Sequence, residues 1–110
     1  CGGDRDKTKR QLMGKIASEN ADSIILTNDN PRSENPQKII DDILDGIKVE
    51  NDVQIILDRK HAITTAIKTL GEDEVLLIAG KGHEKTQIIG SHIYQFSDIE
   101  VALDAFIWHK

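Results

Sequence analysis

The densest run of chemically versatile side chains is Asp29-Asn30-Pro31-Arg32, directly after the apolar stretch Ile24-Ile25-Leu26. Proline fixes its own φ and confines the residue before it to extended conformations, so the flanking side chains are held in a preset geometry. Arg32 offers a planar fork suited to bidentate capture of a carboxylate or phosphate, while Asp29 and the Asn30 amide oxygen can accept from an ammonium. Two other loops carry comparable groups: CGGDRDK (Cys1 to Lys7) supplies Arg5, and GKGHE (Gly80 to Glu84) supplies Glu84. Two cationic forks with two carboxylates complement a small zwitterion such as an amino acid. Purely structural explanations stay open: Asn-Pro is a common turn, Arg32 can pair with Glu34, and Arg5 with Asp4 or Asp6.

What positions these loops is read from the apolar periodicity. Lys7 to Asn20 is an amphipathic helix with Leu12, Met13, Ile16 and Ala17 on its apolar side. Ser23 to Thr27 is a short β-branched strand expected to be covered on both faces. Asn35 as N-cap and Pro36 in the first turn open a second helix with Ile39, Ile40, Ile43, Leu44 and Ile47 inward. Val53 to Leu57 reads as a strand, and Arg59 to Leu70 as a helix with Ala62, Ile63, Ala66, Ile67 and Leu70 inward, stopped by Gly71. Glu74 to Gly80 is the strongest strand pattern. TQIIG and HIYQF around Gly90-Ser91 read as a hairpin. Ser97 with Glu100 forms a capping box opening a last helix, in which Phe106 and Trp108 are expected in the core.

This alternation predicts an α/β open sheet, mostly parallel, with crossover helices and a C-terminal hairpin plus helix. In such sheets ligands bind outside the carboxyl ends of the strands, where all three polar loops fall. The chain of 110 residues fits one domain, and its Cys-Gly-Gly start reads as a piece of a longer protein, with a strand before Cys1 completing the first βα unit.

Composition narrows the function. A net charge of −5, with bases concentrated only in Arg5 to Arg10, argues against nucleic-acid or membrane partners. One cysteine excludes a disulfide framework, and His61, His83, His92 and His109 lack metal-ligand spacing. With no apolar run near the roughly 20 residues of a bilayer span, the cytoplasm is the expected location. His83 is read as a loop residue, because no nucleophile lies beside it. A phosphate-binding loop ending at Gly80-Lys81 would need glycine at Val75 and a hydroxyl at Gly82, and a dinucleotide fingerprint from Gly80 would need glycine at Lys85.

GGDRDKTKRQLMGKIA, TNDNPRSENPQKIIDDILDGI and VLLIAGKGHEKTQIIG, in this order, closely resemble the C-terminal domain of the Mur ligases, in the branch that adds meso-diaminopimelate. The resemblance covers nearly the whole chain up to about Ser91. It implies the Rossmann-like third domain of a three-domain, ATP- and Mg²⁺-dependent ligase of peptidoglycan precursor synthesis. In that reaction a UDP-N-acetylmuramoyl-dipeptide carboxylate becomes an acyl phosphate and the diaminopimelate amine displaces the phosphate. By position, Arg5 and Arg32 look like the residues that hold diaminopimelate carboxylates. Asp29, Asn30 and Pro31 look like further parts of that motif, and Gly80 and Glu84 like contacts for the distal amino group. Relatives that add lysine typically lack the arginine of DNPR. The resemblance places the nucleotide and Mg²⁺ sites in the central domain, so the fragment is expected to be inactive alone. Thr8 stands where the family usually has glycine, which leaves the path of the first loop open. The rival expectations are a lysine-adding ligase and a stand-alone nucleotide- or phosphate-binding module.

Overall fold

The computed structural model describes residues 1–109. The elements are α1 (Thr8–Asn20), β1 (Ser23–Leu26), α2 (Pro36–Leu44), β2 (Asp52–Ile55), α3 (Arg59–Thr69), β3 (Thr86–Ile89), β4 (His92–Gln95) and α4 (Asp98–His109). The α/β class therefore stands, with a parallel pair and a separate antiparallel hairpin as its sheets. β1 and β2 run parallel from Ser23 opposite Asp52 to Leu26 opposite Ile55. β3 and β4 pair antiparallel about the Gly90 turn, where Gly90 takes φ +61°.

The first core lies where β1 meets α2. Ile24 and Leu26 from β1 pack with Ile39, Ile40 and Ile43 from α2, joined at the margin by Ala17, Leu44, Ile47 and Val53. Each fully buried isoleucine contributes roughly 1.5–3 kcal/mol. Asn35 caps α2 by accepting from Gln37 N at 2.9 Å, with Pro36 at the first turn, as the sequence predicts. β1 is buried on alternate residues rather than on both faces.

α1 departs from its expected orientation. Leu12, Met13 and Ile16 are largely exposed, and the residues it buries are Arg10 and Gly14. The reason is close helix packing. A Cβ on Gly14 would lie 2.0 Å from Ile43 O, and one on Gly46 would lie 2.0 Å from Gln11 O. Only a glycine-smooth face lets α1 sit this near α2, so the small residues face inward and the larger apolar ones turn out.

A second core joins α3 to α4 through Ile63, Ile67 and Ala105, with Leu76, Ile78, Phe96, Val101 and Ala102 against it. The buried Arg59–Asp98 ion pair, at 2.7 Å, ties the starts of the two helices together. Phe106 and Trp108 were expected in this core, and the structure corrects that: they are 60% and 79% exposed, because α4 meets α3 along its Val101, Ala102 and Ala105 face. On the Ser97–Glu100 capping box, Glu100 N donates to Ser97 Oγ at 3.3 Å.

The second correction concerns Glu74 to Gly80, which joins no ladder among the described residues. Leu76 and Ile78 face the α3–α4 core while Val75 and Leu77 are exposed, so the alternation of a strand is present without a pairing partner. A cavity of about 90 Å³ separates Leu76 to Ala79 from Ile25 of β1 and Thr27 just after it. No described helix is long and apolar enough to cross a membrane.

Candidate functional site

The three polar loops converge, as the parallel topology requires. Gly3 N donates to Asn30 O at 2.7 Å, which lays the first loop along the DNPR turn. Gly3 has no room for a side chain: a Cβ there would sit 1.8 Å from Pro31 O. Asp4 then accepts from the Ser33 hydroxyl at 2.7 Å, so the two loops are sewn together on both sides of Arg32. The path through Thr8 is also fixed, because its backbone N and hydroxyl both donate to Asp6 Oδ1, at 2.9 and 2.7 Å.

Arg32 is the best-anchored charge on this rim. Its backbone N donates to Ile88 O at 3.1 Å and its O accepts from Gly90 N at 2.7 Å, so the β3 hairpin clamps it. Its Nη1 donates to Gly3 O at 2.8 Å. Among the described residues no partner takes the rest of the fork, which leaves that edge available for bidentate capture. Arg32 adopts φ +52° and Asp4 φ +57°. Left-handed backbone costs a non-glycine residue about 1 kcal/mol, a strain that collects at functional positions when the surroundings over-determine it. Arg5 is exposed and forms no ion pair among the described residues. A Cβ on Gly2 would lie 2.7 Å from Arg32 Nη1 and 3.5 Å from Arg5 Cγ, so the two arginines flank Gly2. The alternative pairings of Arg32 with Glu34, and of Arg5 with Asp4 or Asp6, do not form among the described residues.

At the other end, Lys81 joins the DNPR turn to the GKGHE loop. Its buried Nζ donates to Asn30 Oδ1 at 2.7 Å and to Thr86 O at 2.9 Å. It lies 3.2 Å from Asp29 Oδ1, an ion pair without hydrogen-bond alignment, and 3.9 Å from Glu84 Oε1. Asn30 Oδ1 also accepts from Ile88 N at 2.9 Å, so both lone pairs of that oxygen are taken. What Asn30 can still offer a ligand is its amide N–H, a donor rather than the expected acceptor. Gly80, at φ +111°, would place a Cβ 3.3 Å from Asp29 Oδ2, and Glu84 stays half exposed on the same rim. Pro31 is fully buried and serves as a rigid floor.

A second support lies behind Arg32. Arg10, completely buried, donates to Glu34 Oε2 at 2.7 Å, to Asp42 Oδ2 at 2.9 Å and to Gly2 O at 3.2 Å. Glu34 also accepts from Asp4 N at 2.6 Å. The Arg10 guanidinium, helped by that N–H, holds the Glu34 carboxyl down to about 2. Sequence reasoning missed Lys81 and Arg10. Their signals were a lysine between two glycines, and an arginine in line with Gly14 and Ala17, positions i, i+4 and i+7 of one helix face.

The arrangement can grip a small molecule bearing carboxylate at the Arg5–Arg32 end and ammonium at the Glu84 end. The GKGHE loop offers no lysine to a nucleotide phosphate, because the ammonium of Lys81 is turned into the protein. Among the described residues no group of three or more His, Cys, Asp or Glu side chains could hold a metal.

Comparison with known proteins places this geometry. The model of the family described as "Mur ligase, glutamate ligase domain" matches residues 1–82. A protein of Buchnera aphidicola subsp. Baizongia pistaciae named UDP-N-acetylmuramoyl-L-alanyl-D-glutamate--2,6-diaminopimelate ligase is 54% identical over 101 residues, 92% of this chain and 20% of that protein. A protein of the same name from Alkaliphilus oremlandii is 53% identical over 105 residues, 94% of this chain and 22% of that one. A solved structure bearing that enzyme name superposes with a TM-score of 0.92 at 39% identity, covering 97% of this chain and 22% of its own. The chain thus spans about a fifth of the length of the relatives it matches. Its match to the family model over most of its length, together with the shared fold, shows that this chain belongs to the Mur ligase family.

Proposed function

We propose that this chain is the amino-acid-recognising domain of a UDP-N-acetylmuramoyl-L-alanyl-D-glutamate:meso-2,6-diaminopimelate ligase, which uses ATP to form an amide bond in peptidoglycan precursor synthesis. The observation that carries the proposal is Arg32, clamped through its backbone and one guanidinium nitrogen, with the other edge of its fork free. Diaminopimelate is lysine with a second carboxylate on the distal carbon. Arg32 and Arg5 receive that carboxylate, with the Asn30 amide N–H beside them. Glu84 and the Gly80 backbone face the amine on the same carbon. Asp29 and Pro31 shape the turn, Asp29 as the counter-charge of Lys81. Facing lysine, Arg32 would lose its anionic partner and meet no carboxylate at all. A site built for a charged hydrogen bond rejects the analogue lacking it on the order of 10⁴-fold.

The partners are meso-diaminopimelate, a UDP-N-acetylmuramoyl-dipeptide and the remaining domains of the longer protein, and the reaction belongs in the cytoplasm. ATP and Mg²⁺ are bound outside these residues, so the 110-residue chain recognises without turning over; ADP release by the isolated chain would contradict this. The cavity between β1 and Leu76 to Ala79 supports a further strand entering there, which would join the two halves into one parallel sheet. The test of the function is amino-acid-dependent phosphate release by the intact ligase. Release with meso-diaminopimelate and not with lysine is expected, and equal release with both contradicts the reading.

A further inference from the structure

We propose that Lys81 is a positioning residue for amino-acid binding: it fixes the amine-facing half of the site, while the carboxylate-facing half is held without it. The inference rests on the diaminopimelate reading above. Along the GKGHE loop, Gly80, Gly82, His83, Glu84 and Lys85 are exposed and Lys81 is buried. The backbone on both sides of it is glycine in the left-handed region, φ +111° at Gly80 and +57° at Gly82, so the chain there has little stiffness of its own. Arg59 Nη2 on Ala79 O and Phe96 N on Lys85 O hold the flanks of the loop, and between them Lys81 is the buried side chain that anchors it. That side chain reaches Asn30 Oδ1, Thr86 O and Asp29 Oδ1, which locks the loop to both the DNPR turn and β3.

Arg32 is secured by different groups: Gly3 O on its guanidinium, and Ile88 O and Gly90 N on its backbone. Loss of Lys81 leaves those contacts in place, and Asn30, which loses one of the two donors on its Oδ1, is still held by Ile88 N at 2.9 Å. It frees Glu84 and the Gly80 backbone, and it leaves Asp29 without its counter-charge. The two halves of the site are thus separable, and affinity for the amino acid can be lost without losing the choice between diaminopimelate and lysine. A merely structural ion pair would not separate them, since loosening the fold would weaken both together.

The test uses Lys81→Met in the intact ligase, with KM for meso-diaminopimelate, KM for ATP, the preference for diaminopimelate over lysine and the melting temperature all measured. Loss of a charged hydrogen-bonding anchor is expected to raise KM for diaminopimelate by about tenfold or more, with KM for ATP and the preference unchanged. Lys81→Arg, which keeps the charge, is expected to recover part of that loss. An unchanged KM in a folded Lys81→Met protein overturns the proposal, and so does a preference that falls together with affinity. Should Lys81→Met fail to fold, Asp29→Asn/Lys81→Met is compared with Asp29→Asn, because neutralising both members of a buried pair is tolerated far better than orphaning one. A further rise of about tenfold in KM at similar melting temperature is expected, and none overturns the proposal. A wild-type enzyme that does not use diaminopimelate contradicts the underlying reading, and this inference falls with it; a wild-type enzyme that does, with neutral Lys81 variants, sinks the Lys81 role alone.

Discussion

Arg32 and Asp4 both adopt left-handed backbone, and each is held there by hydrogen bonds to the other's loop. Gly3 makes that meeting possible. Gly3→Ala would drive a Cβ into Pro31 O, and overpacking of this kind costs typically 1–3 kcal/mol, so a lower urea midpoint is expected, of about that free energy. An unaltered midpoint would mean that the loops part without penalty. The charge of Arg32, Arg5 and Glu84 and their place on one rim were legible in the sequence, because charge type and position at a strand end are local properties. The roles of Lys81 and Asn30 were not legible. They depend on a contact between residues 51 positions apart, through which Lys81 becomes the ammonium that Asp29 and Asn30 meet. No local pattern reports that the acceptor on Asn30 is already used.

The helices show a similar division. α2 follows its apolar period closely, since its buried isoleucines outweigh every other influence on its rotation. α1 does not, because Gly14 and the Arg10 network decide which side can approach α2, and these outweigh the exposed Leu12 and Ile16. Arg10→Met would strand Glu34 and Asp42 at a helix junction. A lower urea midpoint than in the parent chain is expected, because both carboxylates lose the guanidinium they share. Acid should act on the same network. Glu34 is depressed from 4.5 to about 2, so its contribution to stability is complete above the unfolded value and is lost as pH falls through the folded one. Urea midpoints measured between pH 6 and pH 2 should therefore decline less in Arg10→Met than in the parent chain. An equal decline in both would show that Arg10 does not hold the Glu34 carboxyl down. Glu74 to Gly80 carries the strongest strand pattern because its alternation is genuine; pairing, which needs a neighbour at ladder distance, is what it lacks among the described residues.

Across the molecule, two cores meet at the rim where the three loops converge, and Arg59 spans them by donating to Asn28 O and Ala79 O, both at 3.0 Å. That contact ties the chain just after β1 and the end of Glu74 to Gly80 to one guanidinium, which is why loops far apart in sequence form one site. The outward-facing Leu103, Phe106 and Trp108 of α4 lie on the far side of the α3 contact and take no part in it. If the proposed function holds, amino-acid choice lies at the rim and, within it, at Arg32. The measurement that bears hardest on this is the ratio of phosphate release with meso-diaminopimelate to that with lysine, in the intact ligase and in its Arg32→Ala variant. A preference on the order of 10⁴-fold in the parent, reduced by at least about a hundredfold in the variant while the melting temperature holds, is the predicted result. The same preference in both proteins would contradict it.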